Sequence, residues 1–341
     1  MNVCLRSILL CLTLLLNACN LEQSSNQVYL NRLANVLQEK TAELDNNIAI
    51  ASLPSVRKLK KQVTANSLSI REFLSLRQCK LHVVIAHRNS LIGKVAKDSQ
   101  LLINDLEILK TGPACLVKIE DPALMNKLAV FLKAKKQSLS VSLWNAIIAD
   151  DEYQNFWRAR RTTRDYPRQL PTETVTNLTA LASLSQIALE HQFSKSINPA
   201  EKLETQLDNL RFGDGGELLF EYLQLQKTMQ LANQLVKDAI KKPLCLLKKP
   251  NERARYLQNV VNKFFINGVQ SHSVLLDRRK AQLMPHVESL ERKFDHIAPK
   301  SFTAWQSRRS QLLASSNMLT QHAQLLQTLY AQCGLQAGTA S

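Results

Sequence analysis

The chain has 341 residues, 45% of them hydrophobic, and carries 44 Lys and Arg against 28 Asp and Glu, a formal net charge of +16. Only 8 glycines are present, where average usage near 7% would give about 24, and only 10 prolines. Good helix formers fill the rest, and apolar residues recur at three- and four-residue steps, which argues against a strand-rich fold.

In chain order, Arg6 precedes the apolar run from Ile8 to Leu16, and Leu16-Asn17-Ala18-Cys19 closes it. The run is far shorter than the ~20 residues that span a bilayer and fits the core of an export signal. Leu16-Asn17-Ala18-Cys19 resembles the lipobox of bacterial lipoproteins, in which the cysteine is acylated with diacylglyceryl and palmitate-like chains and cleavage falls before it. We therefore expect residues 1–18 to be a lipoprotein signal peptide and Cys19 to be a lipid anchor. Several acyl chains at ~0.8 kcal/mol per buried methylene hold a protein stably on a membrane. Asn20, by analogy with bacterial sorting rules, favours the periplasmic face of the outer membrane, with the inner membrane as the alternative. Signal removal takes away one positive charge, Arg6, and no negative one, so the body stays strongly basic. Basic surface calls for polyanions. A periplasmic address points to lipid headgroups or other anionic envelope components rather than nucleic acid.

The periodicity predicts a helix from Val28 to Leu44, then a polar connector over residues 45–65 holding Arg57, Lys58, Lys60 and Lys61. A helix from Leu68 to Ile92 should end at Gly93. Asp98 should cap the next, which Thr111-Gly112-Pro113 should stop after Lys110. These two form a hairpin. Asp121-Pro122 reads as an N-cap and first-turn proline for a helix burying Leu124, Leu128, Phe131 and Leu132, with a separate helix from Ser140 through Trp144.

Tyr153 to Pro171 reads as a short helix and a boundary loop. On a helix, Trp157, Arg161 and Arg164 would share a face. Further helices are expected over Thr172 to Phe193, from Asn198-Pro199, from Asp214 through Ile240, and from Asn251, with Gly268 a bend and Pro285 a kink or division. A last long helix after Pro299 should carry Phe302, Trp305, Leu312, Leu319, Ala323, Leu326 and Tyr330 on one stripe. The expected fold is all-α, a multi-helix bundle of long antiparallel helices, with two packed helical subdomains as a variant. Its parts would be residues 19–65 (anchor, helix and linker), 66–165, 166–335 and a tail, 336–341.

Cys4 and Cys11 leave with the signal and Cys19 is acylated, so Cys79, Cys115, Cys245 and Cys333 remain for an oxidising compartment. The hairpin arms from Cys79 to Gly93 and from Asp98 to Gly112 are equally long, roughly 21 Å at 1.5 Å per residue. This brings Cys115 back to the level of Cys79. The pairing Cys79–Cys115 follows, and Cys245–Cys333 by elimination, each worth roughly 3 to 4 kcal/mol on the chain-entropy estimate.

No Cys-x-x-Cys, His-Glu-x-x-His, Gly-x-Ser-x-Gly, Walker or Gly-x-Gly-x-x-Gly pattern occurs, so neither a metal, a cofactor nor a known catalytic centre is indicated. Asp150-Asp151-Glu152 reads as a helix start rather than paired catalytic carboxylates. Two stretches are candidate binding sites. One gathers Arg88, Asn89, Ser90, Ser99 and Gln100 at the hairpin turn. The other combines Trp157, Arg158, Arg161 and Arg164, since Arg binds phosphate by two parallel hydrogen bonds.

Leu76-Arg77-Gln78-Cys79, His87-Arg88-Asn89-Ser90-Leu91-Ile92-Gly93-Lys94-Val95 and Ser99-Gln100-Leu101-Leu102 resemble the core motif of an uncharacterised family of proteobacterial lipoproteins, a domain of unknown function. Trp144-Asn145 and Gln332-Cys333-Gly334-Leu335 fit it too. His87 departs from the pattern, in which Glu would precede Arg-Asn-Ser. The resemblance implies an address and an extent, not an activity. The functional expectation is a lipid-anchored binding or scaffold module for an anionic envelope component or envelope protein. The alternatives are an envelope hydrolase around Arg88, Asn89 and Ser99, or a helical lipid-handling protein with an apolar cavity.

Overall fold

The computed structural model describes residues 25–40, 44, 52–63, 68–89, 96–160, 162, 166–171, 173–314 and 317–335. Cys19, the signal, Ser90, Gly93, Arg161, Arg164 and the tail lie outside them, as does the side chain of Asn89. The described residues are predominantly helical, and none forms a strand. In chain order the helices are α1 (Ser25–Leu37), α2 (Val56–Leu59), α3 (Ile70–Ser75), α4 (Lys80–Asn89), α5 (Asp98–Leu116), α6 (Pro122–Ile147) and α7 (Asp151–Phe156). Then come α8 (Thr174–Leu189), α9 (Phe193–Glu201), α10 (Leu203–Leu210) and α11 (Gly215–Ile240). A 3-10 turn at Leu246–Lys248 precedes α12 (Glu252–Val260), a π-helical stretch (Val261–Gln270), α13 (Ser271–Arg292), α14 (Lys300–Leu313) and α15 (Asn317–Ala331).

Local signals set several boundaries where expected. Asp121 accepts a hydrogen bond from the Ala123 amide at 2.9 Å with Pro122 in the first turn, and Asn251 caps α12 by accepting from Ala254. Other expectations need correction. The helix expected to run to Leu44 ends at Leu37, where Gln38 takes a positive φ of 59°. The helix expected from Leu68 to Ile92 is two, α3 and α4, because a Ser69–Glu72 capping box starts one and the chain turns at residues 76–79. Thr111-Gly112-Pro113 does not stop α5, which runs through Pro113 to Leu116. Packing decides this: a Cβ on Gly112 would stand 2.4 Å from Leu132 Cδ2, so the bare glycine lets α5 lie directly on α6. The helix expected at Ser140 is the second half of α6.

Pro199 and Pro285 lie inside α9 and α13 rather than opening or dividing them. Gly268 lies within the π-helical stretch. The single helix expected after Pro299 is two, α14 ending where the Ala314 amide turns back onto the Ser310 and Gln311 carbonyls.

The chain resolves into two compact units, each discontinuous in sequence. One takes residues 1–46, 224–273 and 317–341, and the other residues 47–223 and 274–316. The boundary expected near residues 160–171 therefore falls inside the second unit. In the first unit α1 packs on α12 and the π-helical stretch. Tyr29 on α1 is fully buried and bonds His322 Nε2 at 2.5 Å, while His322 Nδ1 bonds Asn233 at 2.8 Å. In the second unit α5 is central, packed on α4, α6, α9 and α10. Leu76, Leu81, Ile85, Ile108, Leu128 and Phe131 form its apolar core on the hairpin side.

Both expected disulfides are closed, Cys79–Cys115 with Cα atoms 5.4 Å apart and Cys245–Cys333 with Cα atoms 5.1 Å apart. The hairpin argument gave the correct level although Cys115 rides on the last turn of α5 rather than after it.

Candidate functional site

Ser99 stands in the first turn of α5, behind Lys97 at the cap and Asp98, whose carboxylate pairs with Lys60 at 2.5 Å. Its side chain is buried, and Oγ donates to Glu204 Oε1 on α10. Asp150 caps α7, accepting from the Glu152 amide at 2.9 Å, so the acidic run does start a helix. Glu152 reaches toward Lys97, Oε1 to Nζ at 3.8 Å, and its buried Oε2 takes no hydrogen bond from a described residue. These groups line one cavity of about 320 Å³, walled by Lys97, Ser99, Asp150, Glu152, Glu204, Thr205, Leu207 and Asp208.

Four carboxylates and one ammonium give the cavity a negative sign in a strongly basic chain. Burial pushes the Asp150 carboxyl up to about 6, with Glu152 and Asp151 adding to the rise, the Glu152 amide opposing it more strongly than they do, and Lys97 opposing it weakly. Asp150 can thus exchange a proton near neutrality, which an unperturbed aspartate cannot. An anion would be repelled here. An amine or a hydroxyl-rich molecule would find acceptors and a donor ammonium.

Arg88 and Gln100, the other described side chains of the expected cluster, go elsewhere. Arg88 donates from Nε to Asp105 at 3.1 Å, and Lys135 joins the same nearly inaccessible carboxylate at 2.8 Å. Arg88 thus binds α4 to α5 and α6. Gln100 is exposed, and its carbonyl accepts from Asn104. Of the described side chains of the expected hairpin cluster, Arg88, Ser99 and Gln100, Ser99 alone lines the cavity.

The arginine-rich stretch also differs from expectation. α7 ends at Phe156 with Trp157 at its C-cap, so the helix expected to present Trp157 stops before it, and Arg161 and Arg164 lie outside the described residues. Trp157 is buried, its ring 5.1 Å from that of Trp305, with the Arg309 guanidinium 4.8 Å from both centroids. Arg309 in turn holds Glu291 by two hydrogen bonds of 2.6 and 2.7 Å. Trp157 is therefore a core residue. Arg160 is tied to the Asn155 and Arg211 carbonyls at 2.9 and 2.6 Å, while Arg158 and Arg168 are exposed.

Sequence reasoning missed Lys97, Glu204, Thr205 and Asp208, because α5, α7 and α10 meet only in three dimensions. A weak signal existed in acidic residues at helix starts, and it was fully absorbed by capping. Among the described residues, no group of three or more His, Cys, Asp or Glu is placed to hold a metal ion, and no helix is long and apolar enough to cross a membrane.

The profile of a family described as "Protein of unknown function (DUF3080)" matches residues 26–337, nearly the whole chain. Comparison with curated proteins returned no match, and comparison with solved structures returned none.

Proposed function

Because this chain belongs to the DUF3080 family, which carries no assigned activity, we propose from its own residues that it is a lipid-anchored envelope protein acting as a binding or scaffold module. The supporting observation is the closure of all four cysteines that follow Cys19 into two disulfides, a state that persists in oxidising compartments. It joins the lipobox-like Leu16-Asn17-Ala18-Cys19 and the basic composition. The proposed address is the periplasmic face of the outer membrane, with Cys19 acylated. Arg158, Arg161 and Arg164 are the proposed contacts to an anionic envelope component, and Arg158 is exposed. Intact-mass measurement on native protein tests the anchor, expecting a chain that begins at Cys19 with acyl mass added. Pull-down on anionic vesicles and on isolated cell wall tests the contacts. Binding unchanged by Arg158→Glu, Arg161→Glu and Arg164→Glu together would remove the arginine segment from the reading.

The Asp150 cavity favours a second reading, an envelope hydrolase. A carboxyl titrating at about 6 in the same cavity as a part-buried Ser99–Glu204 pair suits proton transfer to a hydroxyl-rich or amine-bearing substrate. Incubation with isolated cell-wall polymer would then release soluble fragments with a pH limb near 6, and Asp150→Asn would abolish both. No release at any pH would dismiss the hydrolase.

A further inference from the structure

The 3-10 turn after α11 presents its side chains to solvent in an unusual way. Leu246 and Leu247 are adjacent, and they are 80% and 88% exposed. Leu247 and Lys248 both take the left-handed backbone conformation, with φ of 53° and 56°. For non-glycine residues that conformation persists only where the surroundings impose it.

The surroundings do impose it. Cys245, directly before the leucines, is bonded to Cys333. The Gln332 side chain receives the Leu244 amide at 3.3 Å and donates to the Ile240 carbonyl at 2.9 Å, while Asn251 donates to the Leu244 carbonyl at 2.9 Å. Gly334, at φ +65°, leaves room for the Lys248 carbonyl, which would stand 2.8 Å from any Cβ there. The base of the turn is fixed, and the apolar tip is held outward.

Charge identifies the occupant. Residues 241–255 hold Lys241, Lys242, Lys248, Lys249, Arg253 and Arg255 against the single acid Glu252. Lys241 pairs with Asp238 and Lys242 with Glu39, whereas Lys248 and Lys249 stand exposed beside the leucines. An apolar tip with an ammonium collar matches hydrocarbon beneath anionic headgroups, where each basic side chain contributes about 1 kcal/mol. Two leucines fall far short of the ~800 Å² per partner that a stable protein interface buries. They suffice for a chain already held at a membrane, where tethering raises the effective concentration.

We propose that the Leu246–Leu247 turn is a wedge that enters the surface of a bilayer containing anionic lipid, giving the tethered body a second point of contact. This rests on the Cys19 anchor for its effective strength, not for its chemistry.

The test uses the full chain carrying Leu247→Trp on vesicles with brominated acyl chains. Trp144, Trp157 and Trp305 are at most 3% exposed, so the introduced indole is the accessible fluorophore. We expect its emission to be quenched on phosphatidylglycerol-containing vesicles and little changed on pure phosphatidylcholine. On the same vesicle-bound protein, Lys248→Glu with Lys249→Glu should reduce the quenching at least about tenfold. Leu246→Trp, read in parallel, guards against local misfolding of the first variant. An indole left unquenched on acylated, vesicle-bound protein would overturn the proposal, as would quenching indifferent to anionic lipid. So would cross-linking of the turn to a protein without quenching. Intact mass is read on the same sample, so an unacylated Cys19 with a quenched indole would sink the anchor and leave the wedge standing.

Discussion

Arg279 grips Asp214 by two prongs, Nε to Oδ2 at 2.7 Å and Nη2 to Oδ1 at 2.5 Å, with side chains 5% and 3% exposed. Tyr166 donates to the same carboxylate at 3.1 Å, and burial, reinforced by the neighbouring Asp214 charge, pushes its phenol well above the ordinary range. Removing one partner of such a pair strands a buried charge. Arg279→Met should therefore cost about 3 to 5 kcal/mol in urea unfolding, and the double variant Arg279→Met, Asp214→Asn should recover part of it. A cost under about 1 kcal/mol for the single variant would show that water reaches the pair.

Two glycines should respond in opposite directions to alanine. A Cβ at Gly216 would stand 1.9 Å from the Arg158 carbonyl oxygen, backbone against backbone, so Gly216→Ala must displace the segment after α7. We expect a loss of about 2 kcal/mol or more. At Gly268 the nearest atom is 4.0 Å away, and Gly268→Ala should stabilise by about 0.5 to 1 kcal/mol by helix propensity. Thermal unfolding of the pair decides both.

Asp150 should make the protein less stable as pH rises. Its carboxyl titrates at about 6 when folded, above the 3.8 of an ordinary aspartate, so between those values the folded state binds the extra proton. The penalty is absent below pH 4, grows through the window and is complete above pH 6. Asp150→Asn keeps a capping oxygen and removes the charge. Relative to wild type it should gain stability over that window, on the order of 2 kcal/mol once partial exposure is allowed for. A pH-independent difference would reject the assignment.

His322 acts with the opposite sign. Burial pushes its imidazole down to about 3 from 6.5, so in this window the unfolded chain binds more protons and acid destabilises the fold. The contribution is intact above pH 6.5 and is lost as pH falls toward 3. Against His322→Gln, wild type should lose roughly 2 kcal/mol between pH 7 and pH 5. Parallel denaturation curves for the two proteins over that range would argue against a neutral buried imidazole.

The two disulfides close loops of unequal length, separated by 36 and 88 residues. Loop-closure entropy makes the longer one worth roughly 0.8 kcal/mol more. Replacing Cys245 and Cys333 by serine should accordingly lower stability further than replacing Cys79 and Cys115, as measured by urea midpoints at constant slope.

Much of the helix content could be read from the chain because the physics behind it is local. Asp121-Pro122 and Asn251 announce helix starts through one side-chain oxygen each, and apolar spacing fixes which face of α5 or α6 turns inward. The errors cluster where a distant contact overrides a local preference. Gly112-Pro113 reads as a stop in any isolated peptide, yet α5 continues because α6 comes within reach of a glycine without a side chain. Trp157 and its arginines read as an exposed recognition patch, yet Trp157 is enclosed by Trp305 and Arg309.

The candidate cavity was less legible still. Ser99 could be singled out, but Lys97, Glu204 and Asp208 carry no pattern linking them to Asp150 along the chain. What the sequence by itself determined is the all-helical build and the two cysteine pairings, since periodicity and the arm length that pairs Cys79 with Cys115 act over a few turns and survive errors at helix ends, and Cys245–Cys333 then follows by elimination. The tertiary structure alone decided which polar residues meet around Asp150 and that Leu246 and Leu247 remain outside. Burial, and with it the field each charge feels, belongs to the packing of elements far apart in the chain.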